Sequence, residues 1–180
     1  LVMQRRGIDC VSAMPQKMGL VTDGKFGDAT ADLKATAVNF DRHLRPLIKE
    51  DGIVIMPGFY GVGPKGDITT FGRGGSDYSA AVAAAALGGE RLEIWKDVDG
   101  FMSADPRIVP ESQLIPELSY EEAAELAYFG ATILHPRTME PVRQRKIPVT
   151  IRNTVNPHVE GTRIKAKSPQ PASVIKSVAY

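Results

Sequence analysis

Gly72-Arg73-Gly74-Gly75-Ser76-Asp77-Tyr78-Ser79, running straight into Ala80-Ala81-Val82-Ala83-Ala84-Ala85-Ala86-Leu87, sets the architecture of this chain. Alanine is the best helix former, so a helix is expected over 78–87, with Gly88-Gly89 as its stop. Such small side chains suit a helix lying close on a sheet. Immediately upstream, Ile53-Val54-Ile55-Met56 is a short continuous apolar run. It reads as a central strand buried on both faces. Between the two lies a glycine-rich loop, 57–67, holding Gly58, Gly61, Gly63 and Gly66, which returns through 68–71. Strand, glycine loop and helix in succession are the beginning of a layered α/β domain.

The pattern continues outward in both directions. Residues 92–96 alternate Leu92 and Ile94 against Glu93 and Trp95, a strand, and the loop 97–109 follows its C-terminal end. In open α/β sheets ligands collect outside such strand ends. Ser119 and Glu122 are spaced as a capping box for a helix running to Phe129, with Leu118 placed to staple Ala123 and Gly130 closing it. Pro136 suits the first position of the next helix, whose Met139 and Val142 turn inward before a strand over 148–152. Toward the N-terminus, 8–13 and 19–30 read as short strands forming an edge or hairpin around Asp23, Gly24 and Gly27. A one-faced surface helix is expected over 37–49, kinked near Pro46. Both ends read as cut: residues 1–6 with Gly7 resemble the last turn of a helix, and 174–180 alternate like a strand.

At 180 residues, one compact unit is expected. Hydrophobic residues at 43% and charged residues at 24% match ordinary globular proteins. With 22 Lys and Arg against 21 Asp and Glu the net charge is +1. No global field therefore draws the chain to nucleic acid or anionic lipid, and an anionic ligand must be gripped locally. Cys10 has no partner for an internal disulfide, and His43, His135 and His158 lack metal-ligand spacing, so no metal site is expected and a reducing, cytoplasmic location is. No apolar run reaches the roughly 18 residues that span a bilayer, and no membrane partner is expected.

Two segments carry chemistry. Where a helix begins, backbone N–H groups and the positive end of the dipole favour an anion, and glycines allow close approach. Arg73 adds a planar fork matched to carboxylate or phosphate. The alternative is a tight turn with Ser76 as an ordinary N-cap and Arg73 on a solvated rim. The second segment joins Trp95-Lys96-Asp97-Val98-Asp99-Gly100 to Asp105-Pro106-Arg107. There Lys96 and Arg107 suit phosphates, and Asp97 suits a ribose or a metal ion, unless the loop is merely solvated. Trp95 reads as core packing rather than base stacking, and His135 as a cap rather than a catalyst.

Taken in order, Pro57-Gly58-Phe59, Thr70 through Ser79, Glu93-Ile94-Trp95, Asp97-Val98-Asp99-Gly100, Asp105-Pro106-Arg107, Leu126 through Ala131, Leu134-His135-Pro136-Arg137-Thr138 and Asn153-Thr154 resemble the aspartate kinases of the amino-acid kinase family. The resemblance implies a three-layer α/β/α sandwich on a mostly parallel sheet, truncated on its N-terminal side. Residues 1–167 would be the C-terminal, nucleotide-binding part of the kinase domain, and 168–180 a linker and the first strand of an ACT regulatory region. It implies phosphoryl transfer from ATP, with Mg2+, to L-aspartate, giving 4-phospho-L-aspartate on the route to lysine, threonine and methionine, in an enzyme that is a homo-oligomer.

By the same likeness Arg73, Gly74, Gly75 and Ser76 bind aspartate, and Arg73 and Asp77 serve catalysis. Lys96, Asp97, Met102, Arg107 and Thr132 line the nucleotide site. Three positions depart from the family pattern: Lys96 stands where threonine is usual, Met102 where tyrosine is, and Thr132 where lysine is. Loss of an electrostatic donor beside reacting phosphate is worth about 2.7 to 4 kcal/mol. The family's Lys-Phe-Gly-Gly-Thr-Ser motif is not in this sequence, so little turnover is expected from these residues alone. Two other readings fit the residues: a kinase for glutamate, acetylglutamate or a nucleoside monophosphate, and a non-catalytic amino-acid-sensing module.

Overall fold

The computed structural model describes residues 2–49, 52–128, 133–167 and Ser177. Where the length suggests one compact unit, the chain groups into two, residues 1–87 and 88–180.

In the first unit, α1 (Val2–Arg5) is the expected helical turn before Gly7. Strand β1 (Cys10–Ser12) and the short α2 (Pro15–Met18) come next. Of the edge or hairpin expected for 8–30, the hairpin does not form, and among the described residues β1 lies at the edge of a two-stranded sheet. It pairs parallel with β2 (Ile53–Ile55), and 19–31 contributes only isolated bridges, Val21 to Val62 and Thr22 to Ala31. The turn between those bridges is held by Asp23, whose carboxylate accepts the N–H groups of Lys25 and Thr30, both at 3.1 Å. These two backbone hydrogen bonds, Thr30 first, hold the Asp23 carboxyl below its ordinary value.

Helix α3 spans Leu33–His43, four residues earlier than the apolar spacing indicates. Asp32 caps it, accepting from Lys34 and Ala35 at 3.0 Å each. Because Pro46 has no N–H to give, the helix yields to a 3-10 turn, Arg45–Leu47. The glycine-rich loop is itself a hairpin, β3 (Tyr60–Val62) antiparallel to β4 (Ile68–Thr70). It leads to α4 (Gly75–Leu87), which packs on α3. Phe40, Phe71, Tyr78, Val82, Leu20 and Ala29 make the core between them. Strand β2 is not buried on both faces as its apolar run suggests. Val54 packs toward the core, whereas Ile53 and Ile55, on the opposite face, are 40% and 43% exposed.

The second unit is built on one four-stranded sheet ordered β5-β7-β8-β6, with β5 (Leu92–Lys96), β6 (Glu117–Ser119), β7 (Val149–Asn153) and β8 (Thr162–Lys165). The pairs β5/β7 and β6/β8 are parallel and β7/β8 is antiparallel. Alternation buries Ile94, Leu118, Val149, Ile151 and Ile164. The same alternation turns Trp95 outward, 47% exposed, with the Arg152 guanidinium 5.0 Å from its ring centre. The core role expected for Trp95 is therefore wrong, since it shares a face with Glu93.

Helix α5 (Tyr120–Tyr128) starts with the expected capping box: Ser119 N–H donates to Glu122 at 2.7 Å and Glu122 N–H to the Ser119 hydroxyl at 3.1 Å. The stop expected at Phe129-Gly130 lies outside the described residues. His135 is the expected cap, Nδ1 accepting from Arg137 N–H, before the 3-10 turn Pro136–Thr138 and α6 (Met139–Arg145). Met139 and Val142 face inward. The strand expected at 174–180 also falls outside the described residues, apart from Ser177. Among the described residues no helix is long and apolar enough to cross a membrane.

Candidate functional site

Two places carry the residues singled out from sequence, one in each unit. In the first unit, β4 ends at Thr70 and the chain turns into α4 through Phe71-Gly72-Arg73-Gly74. Gly72 and Gly74 have φ of +72° and +71°, which side chains seldom tolerate. A Cβ on Gly72 would also sit 2.7 Å from the Gly27 carbonyl oxygen. The turn is closed by Gly75 N–H donating to Gly72 and Tyr78 N–H to Gly74, both at 3.0 Å. Tyr78 then anchors the helix: its ring meets Phe71 edge-on at 5.1 Å, and its hydroxyl accepts from Ala31 N–H at 3.2 Å.

This geometry leaves Arg73 and Ser76 exposed, Gly74 and Asp77 half-buried and Gly75 buried. Ser76 is not the ordinary N-cap that the sequence also allows. The helix begins one residue earlier, so Ser76 and Asp77 lie in its first turn, where the dipole favours negative charge. A guanidinium, a hydroxyl and a helix N-terminus thus come within one short turn, a combination suited to a carboxylate.

Sequence reasoning gives no role to Phe59 or Ser79, which complete this site. Phe59 has φ +81°, a conformation costly for a residue with a bulky side chain. Its N–H donates to the Ser79 hydroxyl at 3.0 Å, and that hydroxyl donates to the Ser76 carbonyl at 2.8 Å. The Phe59 carbonyl accepts from Phe71 N–H at 2.9 Å. Gly58 makes this possible, since a Cβ there would lie 2.7 Å from the Ser79 oxygen. A phenylalanine at positive φ leaves no signature in sequence; only the glycine before it hints at the bend.

In the second unit, the candidate nucleotide residues come after β5. Lys96 is the last strand residue, half-buried, and its carbonyl accepts from Thr154 N–H at 2.7 Å. Asp97 is exposed. The loop then doubles back: Ser103 N–H donates to Gln113 at 2.8 Å, Ile115 N–H donates to Phe101 at 2.7 Å, and Met102 bridges Leu114. Met102 is half-buried, and its carbonyl accepts from the Ser177 hydroxyl at 2.9 Å. Arg107 is exposed at the far turn and grips Asp105 with Nε and a terminal nitrogen, the shortest contact 2.6 Å. That guanidinium holds the Asp105 carboxyl below its ordinary value. Lys96, Asp97, Met102 and Arg107 therefore share one strand exit and its loop. Thr132 lies outside the described residues.

Residues 5–153 match the family model described as the amino acid kinase family. The chain belongs to the amino-acid kinase family. Within it, the chain is 47% identical over 159 residues to the bifunctional aspartokinase/homoserine dehydrogenase of Haemophilus influenzae, covering 88% of this chain and 19% of that protein. It is 43% identical over 150 residues to the lysine-sensitive aspartokinase 3 of Escherichia coli, covering 83% of this chain and 33% of that protein. Among solved structures it superposes on E. coli aspartokinase III in complex with aspartate and ADP with a TM-score of 0.88 at 38% identity, covering 94% of this chain and 38% of the other. This amino-acid kinase chain thus spans a third or less of the length of these two curated relatives.

Proposed function

We propose that this chain serves phosphoryl transfer from ATP to the β-carboxylate of L-aspartate, giving 4-phospho-L-aspartate. The observation that carries the reading is the start of α4, where Arg73 and Ser76 stand exposed on a glycine-shaped helix N-terminus. The likeness to an aspartokinase solved with aspartate and ADP supports it. In this reading Arg73, Gly74, Gly75 and Ser76 hold the amino acid, and Asp77 in the first helical turn helps order the reacting groups. Lys96, Asp97, Met102, Arg107 and Thr132 line the nucleotide.

A carboxylate nucleophile is already ionised at neutral pH, so the site needs no general base. Rate enhancement then comes from alignment and from positive charge around the moving phosphoryl group. Arg73 fixes one carboxylate of the substrate, and Arg107 reaches the phosphates by exchanging Asp105 for a phosphate oxygen. Among the described residues no group of three or more His, Cys, Asp or Glu side chains can hold a metal ion. Mg2+ would arrive with ATP, taking most of its ligands from phosphate and water and supplying charge neutralisation there. The product places the enzyme at the entry to lysine, threonine and methionine synthesis.

Thermal denaturation of the 180-residue chain with added amino acids tests the substrate. Protection by aspartate, absent with glutamate or N-acetylglutamate and lost in Arg73→Ala, is the expected result. Equal protection by glutamate or N-acetylglutamate would shift the reading to another amino-acid kinase.

A further inference from the structure

The nucleotide loop is held by a residue to which the proposed function assigns no part. Asn153 ends β7 directly across the ladder from Lys96, the last residue of β5. It is 8% exposed, and its side-chain amide is turned to the turn after β7 and to the β5 exit loop. Its Oδ1 accepts from Val155 N–H at 2.8 Å and Asn156 N–H at 3.2 Å, which folds the chain leaving β7. Its Nδ2 donates to the Asp99 carboxylate at 2.7 Å, across 54 residues of sequence.

One residue beyond Asp99, Gly100 has φ +144° and lies where a Cβ would strike the Thr162 hydroxyl. That hydroxyl accepts from Phe101 N–H at 2.8 Å and donates to the Ile115 carbonyl at 2.7 Å. The exit of β5 is therefore pinned at Lys96 by the Thr154 N–H, at Asp99 by Asn153 and at Phe101 by Thr162. Asp97 lies between the first two of these pins, and Met102 directly follows the third. Of the pins, only Asn153 joins the loop to the turn after β7 through a side chain on each partner.

We propose that Asn153 is a positioning residue for nucleotide binding: by donating to Asp99 it sets where the β5 exit loop carries Asp97 and Met102. The inference rests on the nucleotide reading of that loop. An amide performs both tasks at once, since the turn after β7 needs an acceptor while Asp99 needs a donor. A carboxylate at 153 would keep the turn and set two negative groups against each other.

This chemistry gives a test with internal rescue. ADP binding to the 180-residue chain is measured by calorimetry for the wild type, Asn153→Asp, Asp99→Asn and the exchange variant carrying both. In the exchange variant the donor sits at 99 and the acceptor at 153, so the hydrogen bond re-forms with its polarity reversed while the turn keeps its acceptor. Asn153→Asp is expected to weaken ADP binding on the order of ten- to a hundredfold, as loop misplacement does, and the exchange variant to recover to within about threefold of wild type. A loss from any cause other than the 99–153 hydrogen bond would not be rescued in this way. Hydrogen exchange at the amides of 97–103 is the second readout, independent of ligand: faster in Asn153→Asp and restored in the exchange variant. Unchanged ADP affinity in Asn153→Asp, or no recovery in the exchange variant, overturns the proposal. If wild type fails to bind ADP while the exchange pattern appears as expected, the nucleotide reading falls and the Asn153–Asp99 clamp stands.

Discussion

The start of α4 and the exit of β5 both carry the chain out of a strand, yet they are shaped by opposite means. At α4 the shape is largely local: Gly72, Gly74 and the first helical turn lie within a few residues, and positive φ at the glycines does the bending. At β5 the shape is imposed from a distance, by Asn153 and Thr162 on strands more than fifty residues away in sequence. A locally bent turn can present a fixed grip to a small, rigid ligand such as a carboxylate. A loop pinned from neighbouring strands follows their register, so its ligand contacts depend on the sheet. The difference predicts that substitutions at α4 act on ligand or local strain, whereas substitutions at β5 act through packing.

The largest expected effect on binding is that of Arg73→Ala, which should weaken aspartate binding by about 100-fold, the scale of a lost charge-assisted contact, while leaving the unfolding temperature unchanged because the side chain is exposed. Calorimetric titration with aspartate checks it, and full retention of affinity would break the local half of the comparison. Thr162→Val should destabilise by about 3 kcal/mol in urea unfolding, since it orphans a buried N–H and a buried carbonyl together. Gly72→Ala should cost about 2 kcal/mol, because it combines positive φ with the Gly27 carbonyl against the new Cβ. A neutral result there would mean that the turn is not set by its own backbone.

Arg107→Ala should weaken ADP binding by about tenfold with no change in stability, its ion pair with Asp105 being at the surface. The smallest effect concerns pH. Asp23 has a lowered folded value, so its stabilising hydrogen bonds are fully present above the ordinary aspartate value of 3.8 and are lost as pH falls through the lower folded one. Asp23→Asn should accordingly flatten the acid limb of the stability profile, read by thermal denaturation between about pH 5 and about pH 2.

The elements legible in the sequence are those with a short-range cause. The alanine-rich α4, the alternating β5, the Ser119–Glu122 capping box and the His135 cap all rest on interactions within four residues. The elements that the sequence misrepresents depend on partners elsewhere. The 8–30 segment reads as an edge or hairpin because its short strands flank turn residues, but the hairpin gives way to a parallel pairing of β1 with β2. Trp95 reads as core because it is large and apolar, but the register of β5 turns it outward. The glycine-rich loop hides a hairpin, since Tyr60-Gly61-Val62 is too short and too rich in glycine to announce a strand. Of the site, Arg73, Ser76 and Asp77 are legible as a motif, whereas the Phe59–Ser79–Ser76 chain that supports them is not.

Sequence alone determined the family, through stretches matched in order from Pro57 to Thr154, and the α/β class and the glycine-bent turn into α4, through local backbone preferences. Tertiary structure alone decided how the β5 exit is held, which face of β2 is covered and that Phe59 is pressed into an unfavourable conformation. Each of these depends on a hydrogen bond or strand pairing that closes over twenty or more residues, and no local preference encodes a partner at that distance.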